Sequence, residues 1–265
     1  MSVIKRKNSV KFIIVTMILI AVIGPYLAPY SPDNFSFDVL LKPSLYHLLG
    51  TDEMGHDIFS ILLVSFRVTI GISIAASILS TLIGTFLAVI GAYYGGVIDD
   101  FIKKITDFFI IIPEIIILLF FATYSRPTLL NTVIAISFTS WTKVTKIIRP
   151  KAKLAIEKEK IKYTLLLKGR LTDVFKKLWK EIYPSVSTMF ILQCSKAAVY
   201  EATLSYFGIG NPMIKSWGKM IKMALDYEGI FSDSTFIWYL LPPVVCICTL
   251  VASISMLTFD IYKES

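Results

Sequence analysis

Long apolar blocks without internal alternation constrain this chain more than any other feature of its sequence. Six can be marked, at about 12–28, 68–92, 108–122, 129–148, 186–207 and 236–259. Each is near the roughly 20 residues a helix needs to cross a hydrocarbon core of about 30 Å. Backbone N–H and C=O groups find no water in lipid, so a spanning segment must be a helix or part of a closed barrel. The dyad alternation of barrel strands is missing from these blocks. They therefore predict an all-α membrane protein with six transmembrane helices. The third block is short and carries Pro113-Glu114, which puts a kink there. Composition agrees: 55 % of residues are hydrophobic, mean hydropathy is +0.69 and only 17 % are charged, against about a quarter in soluble domains.

The basic residues predict the orientation, because Lys and Arg collect on the cytoplasmic side of membrane proteins. Four lie ahead of the first block (Lys5, Arg6, Lys7, Lys11) and eleven lie between Arg149 and Pro184. With six spans these two stretches share one side, so both are expected in the cytoplasm, and the C-terminus with them. The formal charge of +8 then belongs to membrane-flanking loops, and nucleic acid is not expected as a partner. The basic start followed by an apolar run resembles a signal peptide. It ends on Gly24-Pro25 without a small-residue cleavage pattern, so it reads as an uncleaved first span. Three units are expected: 1–66 with tail, first span and outer loop, a membrane domain over 67–259, and a cytoplasmic tail over 260–265. Cys194, Cys246 and Cys248 all fall in apolar blocks, which suits membrane packing and not a disulfide framework.

The connection 149–184 is the long basic element. Leu171, Val174, Phe175, Leu178, Trp179 and Ile182 recur at helical spacing, with Lys176, Lys177, Lys180 and Glu181 on the other side, an amphipathic helix. A helical stretch over about 154–168 precedes it, a bend is expected at Gly169, and Pro184 is read as the turn into the fifth span. Such a helix can lie on anionic lipid or dock a cytoplasmic partner. In the outer loop, Asp52, His56 and Asp57 have metal-ligand chemistry, but helix capping explains them better. Thr51, Asp52 and Asp57 stand before Ile58, Phe59, Leu62, Leu63 and Phe66, which repeat on one face. Lys196 and Glu201 sit inside the fifth span. Ionisable groups are costly there and face a protein interior or an aqueous path. Trp141, Lys143 and Lys146 read as anchors at the membrane interface, and Asp99, Asp100, Lys103 and Lys104 as a solvated turn.

Four blocks, in order, resemble the oligopeptide, dipeptide and nickel permease family of ABC importers, specifically its second permease subunit. Residues 48–60, LLGTDEMGHDIFS, are similar to L-L-G-T-D-x-x-G-R-D-x-x-S, with His56 in place of the family's Arg. Residues 91–99, GAYYGGVID, followed by Lys103 or Lys104, Asp107 and Pro113, are similar to G-x-Y-Y-G-G-x-x-D…R…D…P. The third block is the basic connection ending Ile182-Tyr183-Pro184. The fourth, EATLSYFGIG at 201–210 and SWGKM at 216–220, is similar to E-A-x-L-S-F-L-G-L-G…S-W-G-x-M.

This resemblance implies a type-I ABC importer permease fold with a translocation path at the subunit interface. It also implies the partners: a sister permease, two ATPase subunits that carry ATP and Mg, and an external solute-binding protein. The chain itself shows no G-x-x-x-x-G-K-[ST] pattern and is expected to be a transport subunit without a catalytic site, cofactor or metal of its own. The family's E-A-A-x-x-x-G signature falls on Lys162-Tyr163-Thr164 when counted from Arg149, and on Tyr163-Thr164-Leu165 when counted from Gly169. Either way its acid is missing. Lys162, Tyr163, Thr164, Leu165 and Gly169 are thus the expected coupling residues. Gly208, Gly210, Trp217 and Gly218 are expected in an external gate region, and Lys196 and Glu201 along the path or in a structural charge pair. Peptides are the expected solute, with nickel or a metal chelate as the alternative. A stand-alone secondary transporter would need repeats that the chain lacks. A membrane enzyme would need paired His or Asp groups at membrane depth, whereas His47 and His56 share one loop.

Overall fold

The computed structural model describes residues 2–167, 171–211, 213–231 and 234–264. Helix α1 spans Ser2–Leu27, α2 Ile58–Tyr94, α3 Gly96–Ile111, α4 Glu114–Tyr124 and α5 Leu129–Ile156. Helix α6 spans Glu159–Leu166, α7 Leu171–Tyr206, α8 Trp217–Asp226 and α9 Leu241–Glu264, with one turn of 3-10 helix at Thr235–Ile237 before α9. Among the described residues the only extended pairing is a single bridge between Thr51 and Asp57.

Helix α2 is the axis. It packs on α1, α3, α5, α7 and α8. Its inward stripe is small and hydroxylic (Ser73, Ala76, Ser77, Ser80, Thr81, Gly84, Ala88), and α5 answers with Ala135, Ser137, Ser140, Thr145 and Ala152. In lipid there is no hydrophobic gain in bringing two helices together, so close backbone approach and interhelical hydrogen bonds do the work. Gly84 makes the approach possible, since a Cβ there would lie 2.5 Å from Val144 Cβ. The hydroxyls of Thr145 and Ser137 donate across the crossing to the Gly84 and Ala76 carbonyls, each at 3.1 Å.

Three buried clusters follow. One joins α1, α2, α7, α8 and α9 around Met17, Phe66, Trp217 and Leu250. The second, around Val144, Ile148, Ile161, Val174, Leu178 and Ile182, seats α6 and the first half of α7 against α2 and α5. The third, around Ile72, Leu118, Ile136 and Leu204, holds α4.

The expected segments change in four places. Helix α2 begins at Ile58, well before residue 68, because Asp57 caps it: its side chain accepts from Ser60 N at 2.8 Å. The third segment is two helices broken at Ile112-Pro113, and α4 has only 11 residues, about 16 Å of helix. Helix α5 continues past residue 148 through Pro150 to Ile156, with Ala152 and Ala155 buried. Helix α7 runs unbroken through Pro184, so this proline does not mark a turn. It removes one backbone donor, but Ile182 and Val186 on either side are buried and hold the helix together. Among the described residues, three stretches suffice by length and hydropathy to cross a membrane alone: Asn8–Leu27, Ile58–Tyr94 and Thr235–Phe259.

Candidate functional site

The residues singled out above gather in three places. The first is α6 and its seat. Ile161 points inward and is buried with Val174, Leu178 and Ile182 of α7. Lys158 pairs with Glu181, and Lys177 Nζ donates to Thr164 Oγ1 at 2.6 Å, so Thr164 belongs to the seat. The opposite face is open. Tyr163 and Leu166 are exposed, as is Leu167 just beyond the helix, and a groove beside them is lined by Glu159, Lys160, Lys162, Tyr163, Leu166 and Lys177. An aromatic and an aliphatic side chain framed by lysines suit insertion into a partner's cleft. Of the expected coupling residues, Lys162 and Tyr163 lie on this face. Leu165 is within α6, and Gly169 lies outside the described residues. Leu166 was missed. Its signal was the Lys162/Tyr163/Leu166 spacing of one helix turn.

The second place is a polar network where α2, α7 and α8 meet. Glu201 is buried, and its carboxylate accepts from Ser205 Oγ at 2.7 Å and Thr69 Oγ1 at 3.3 Å. Thr69 Oγ1 in turn accepts from Trp217 N, and Ser216, which caps α8, lies 3.3 Å from Ser205 Oγ. Trp217 is fully buried, edge-on to Phe66. A Cβ on Gly218 would fall 2.4 Å from Ala202 Cα, so only glycine lets α8 lie on α7 here. Gly208, at φ 71, ends α7: its N–H donates to Ser205 O and that of Ile209 to Leu204 O, the Schellman pattern that a left-handed glycine completes. Gly210 lies near Ser205. Glu201 thus joins the four glycine and tryptophan positions into one unit, while Lys196 faces elsewhere. Lys196 is paired with Glu114 at the start of α4, Glu114 also pairs with Lys143 of α5 at 3.2 Å, and Tyr200 donates to it.

The third place is the loop over 28–57. Asp52 Oδ1 accepts from Met54 N and His56 N, and its Oδ2 lies 2.9 Å from His56 Nδ1. Thr51 Oγ1 donates to Asp38 O and accepts from Leu41 N. Asp57 alone caps the helix. Its other oxygen is 2.9 Å from His47 Nδ1, so Thr51 and Asp52 shape the loop instead. His56 therefore closes a turn on Asp52. Tyr239 donates to Glu53 and ties the loop to the approach to α9. Burial raises the Glu53 carboxyl above its usual range, and the Tyr239 bond only partly offsets this.

Two expectations are corrected. Asp99 is not a solvated turn residue: it is buried, and both oxygens are bound, one by Arg149 Nε, the other by Arg149 at 2.6 Å and by Lys153. Burial alone would raise its carboxyl, but the hydrogen bonds and charges of Arg149 and Lys153 prevail and hold it below the usual range. Trp141 is buried beside Phe109 and is not an interfacial anchor. Lys146 reaches Asp107 at 3.5 Å.

An all-helical bundle with small-residue crossings and apolar stretches long enough to span a bilayer is the architecture of a multi-pass membrane protein. The chain belongs to the family described as binding-protein-dependent transport system inner membrane component, whose model matches residues 80–263. Curated relatives agree. The oligopeptide transport system permease protein OppC of Lactococcus lactis subsp. cremoris is 29 % identical over 251 residues, covering 92 % of this chain and 83 % of its own. OppC of Bacillus subtilis is 29 % identical over 261 residues, covering 95 % and 80 %. The dipeptide transport system permease protein DppC of Bacillus subtilis is 28 % identical over 215 residues, covering 79 % and 66 %.

Proposed function

We propose that this chain forms half of the translocation path of an ATP-driven, binding-protein-dependent peptide importer. The carrying observation is that permeases named for oligopeptide transport align with nine-tenths or more of it, at 92 % and 95 % coverage. In this reading a sister permease supplies the other half of the path, and an external solute-binding protein delivers the peptide. Two ATPase subunits bind ATP and Mg and do the hydrolysis. The chain crosses the plasma membrane six times, with both termini, the Asp99 clamp and α6 in the cytoplasm. The charged α5 and α7 and the broken α3–α4 pair cross as part of the assembly, where neighbouring helices satisfy their polar groups.

Coupling then runs through α6. Lys162, Tyr163 and Leu166 enter a groove on an ATPase subunit, and Ile161 transmits its displacement to α7, whose far end carries Glu201 and α8. ATPase closure rocks these helices and opens the path outward, and hydrolysis returns it inward. The test is uptake by vesicles holding the complete complex. Labelled di- or oligopeptide should accumulate only with ATP and the loaded binding protein. Accumulation of nickel or a nickel chelate with no peptide uptake would move the chain to metal import.

A further inference from the structure

The cluster at the start of α4 is unbalanced. Glu114 is its single carboxylate, against the ammonium groups of Lys143 and Lys196. Both carboxylate oxygens are engaged: Oε1 by Lys143 at 3.2 Å, and Oε2 by Lys196 and the Tyr200 hydroxyl. Lys196 also lies 5.1 Å from the centre of the Tyr200 ring. The neighbouring pair, Lys146 with Asp107, is balanced, so the surplus positive charge is local to Glu114. Among the described residues no second carboxylate is paired with these two lysines. The lysines also differ in access. Lys196 and Glu114 are 18 % and 11 % exposed, whereas Lys143 is 54 % exposed. Lys143 was expected as an interfacial anchor, but it is paired with Glu114, itself 11 % exposed where α4 begins, so its ammonium is held against the bundle. A half-exposed charge there is costly against lipid and belongs on an aqueous path. An extra positive charge there calls for an anion.

We infer that Lys143, backed by the Glu114–Lys196–Tyr200 unit, receives the C-terminal carboxylate of the peptide as it passes. This rests on the peptide reading above. Lys143 can swing from Glu114 to an incoming carboxylate without stranding Glu114, because Lys196 and Tyr200 remain on its other oxygen. The site is then charge-neutral only while occupied. Lys196 is the positioning residue and Lys143 is the one that touches the substrate. The contact is a single charge-assisted hydrogen bond to a mobile ammonium, strong enough to select a carboxylate and weak enough to release it.

The experiment compares uptake of one peptide with a free C-terminal carboxylate and the same peptide with a C-terminal amide. It uses vesicles holding the complete complex, with enough binding protein to saturate both forms and their affinities for it measured separately. Wild-type vesicles should import the carboxylate form faster by about tenfold, the size expected for losing one charge-assisted hydrogen bond. In Lys143→Gln the ratio should fall toward one, and Lys143→Arg should restore most of it. Equal uptake of both forms in the wild type overturns the inference without any variant, as does a ratio that Lys143→Gln leaves unchanged. If neither peptide form is imported, the peptide reading itself fails, a different outcome from equal import of both.

Discussion

Two residues carry more of this structure than their chemistry suggests. Gly218 has no side chain, yet the contact of α8 with α7 depends on that absence. Gly218→Ala sets a methyl group 2.4 Å from a backbone Cα, so α8 must move. The expected loss is roughly 1–3 kcal/mol. Gly71, where an added Cβ meets nothing within 4 Å, is the control: Gly71→Ala should be neutral or slightly stabilising. Thermal midpoints of the detergent-solubilised complex separate the two. Asp99 is the second residue. Its folded-state carboxyl is depressed, so its stabilising contribution is complete above the unfolded value of about 3.9 and is lost as pH falls through the lower, folded one. Asp99→Asn should lower stability near pH 7 by about 2 kcal/mol, less than for a fully buried pair because Lys153 is half-exposed. The gap between wild type and variant should close in acid below the carboxylate range, and a gap independent of pH would remove the charge argument. Neither role can be read from sequence. Asp99 and Arg149 are 50 residues apart, and the loop charge of Asp99 looks the same whether solvated or clamped. Lys196 and Glu201 were recognisable as costly groups at membrane depth, but not that one would pair with Glu114 and the other with hydroxyls.

The elements divide along the same line. Apolar run length is a local property, and it located the apolar portions of α1, α5 and α9 but not the polar ends by which α1 starts at Ser2 and α5 runs on to Ile156. The start of α2 was missed because Ser60, Ser65 and Arg67 dilute the run, while the cap that fixes it, Asp57, is a single side chain. Asp57→Ala should cost about 1–2 kcal/mol as a lost N-cap and also free His47, whereas His56→Gln should disturb only the turn at Asp52. Amide exchange across 58–62 distinguishes the two: faster in Asp57→Ala, near wild type in His56→Gln. Pro113 and Pro184 look alike in sequence, yet one breaks a helix and the other does not. The difference is tertiary, since Pro184 sits between the buried Ile182 and Val186 and the packing overrides the missing donor. Helical spacing identified the amphipathic first half of α7, whereas for α6 only a helical stretch over about 154–168 was expected. The inward role of Ile161 and the outward one of Leu166 follow from how α6 lies on α7.

At the scale of the whole molecule, the proposed function makes the chain a transmission. One end, α6, is basic, short and outward-facing. The other, α8, is pinned to α7 and α2 through Glu201, Thr69 and Ser216. A single helix of 36 residues, α7, joins them. Its length is about 54 Å, more than a hydrocarbon core of about 30 Å, so in the proposed function it carries motion from one side to the other. The half-exposed Lys143 and Lys146 of α5 and the exposed apolar faces of α1, α2 and α9 fit a chain that is completed by other subunits and by lipid. The proposed function requires α6 to couple ATP use in those subunits to events at the far end. The most direct test is ATP hydrolysis by the purified complex, with and without peptide-loaded binding protein, in the wild type and in Tyr163→Ala/Leu166→Ser. The wild type should be stimulated several-fold by the loaded binding protein, and the variant should assemble with its ATPase subunits yet lose that stimulation. Equal stimulation in both, or a chain that purifies with no ATPase subunit at all, would contradict it.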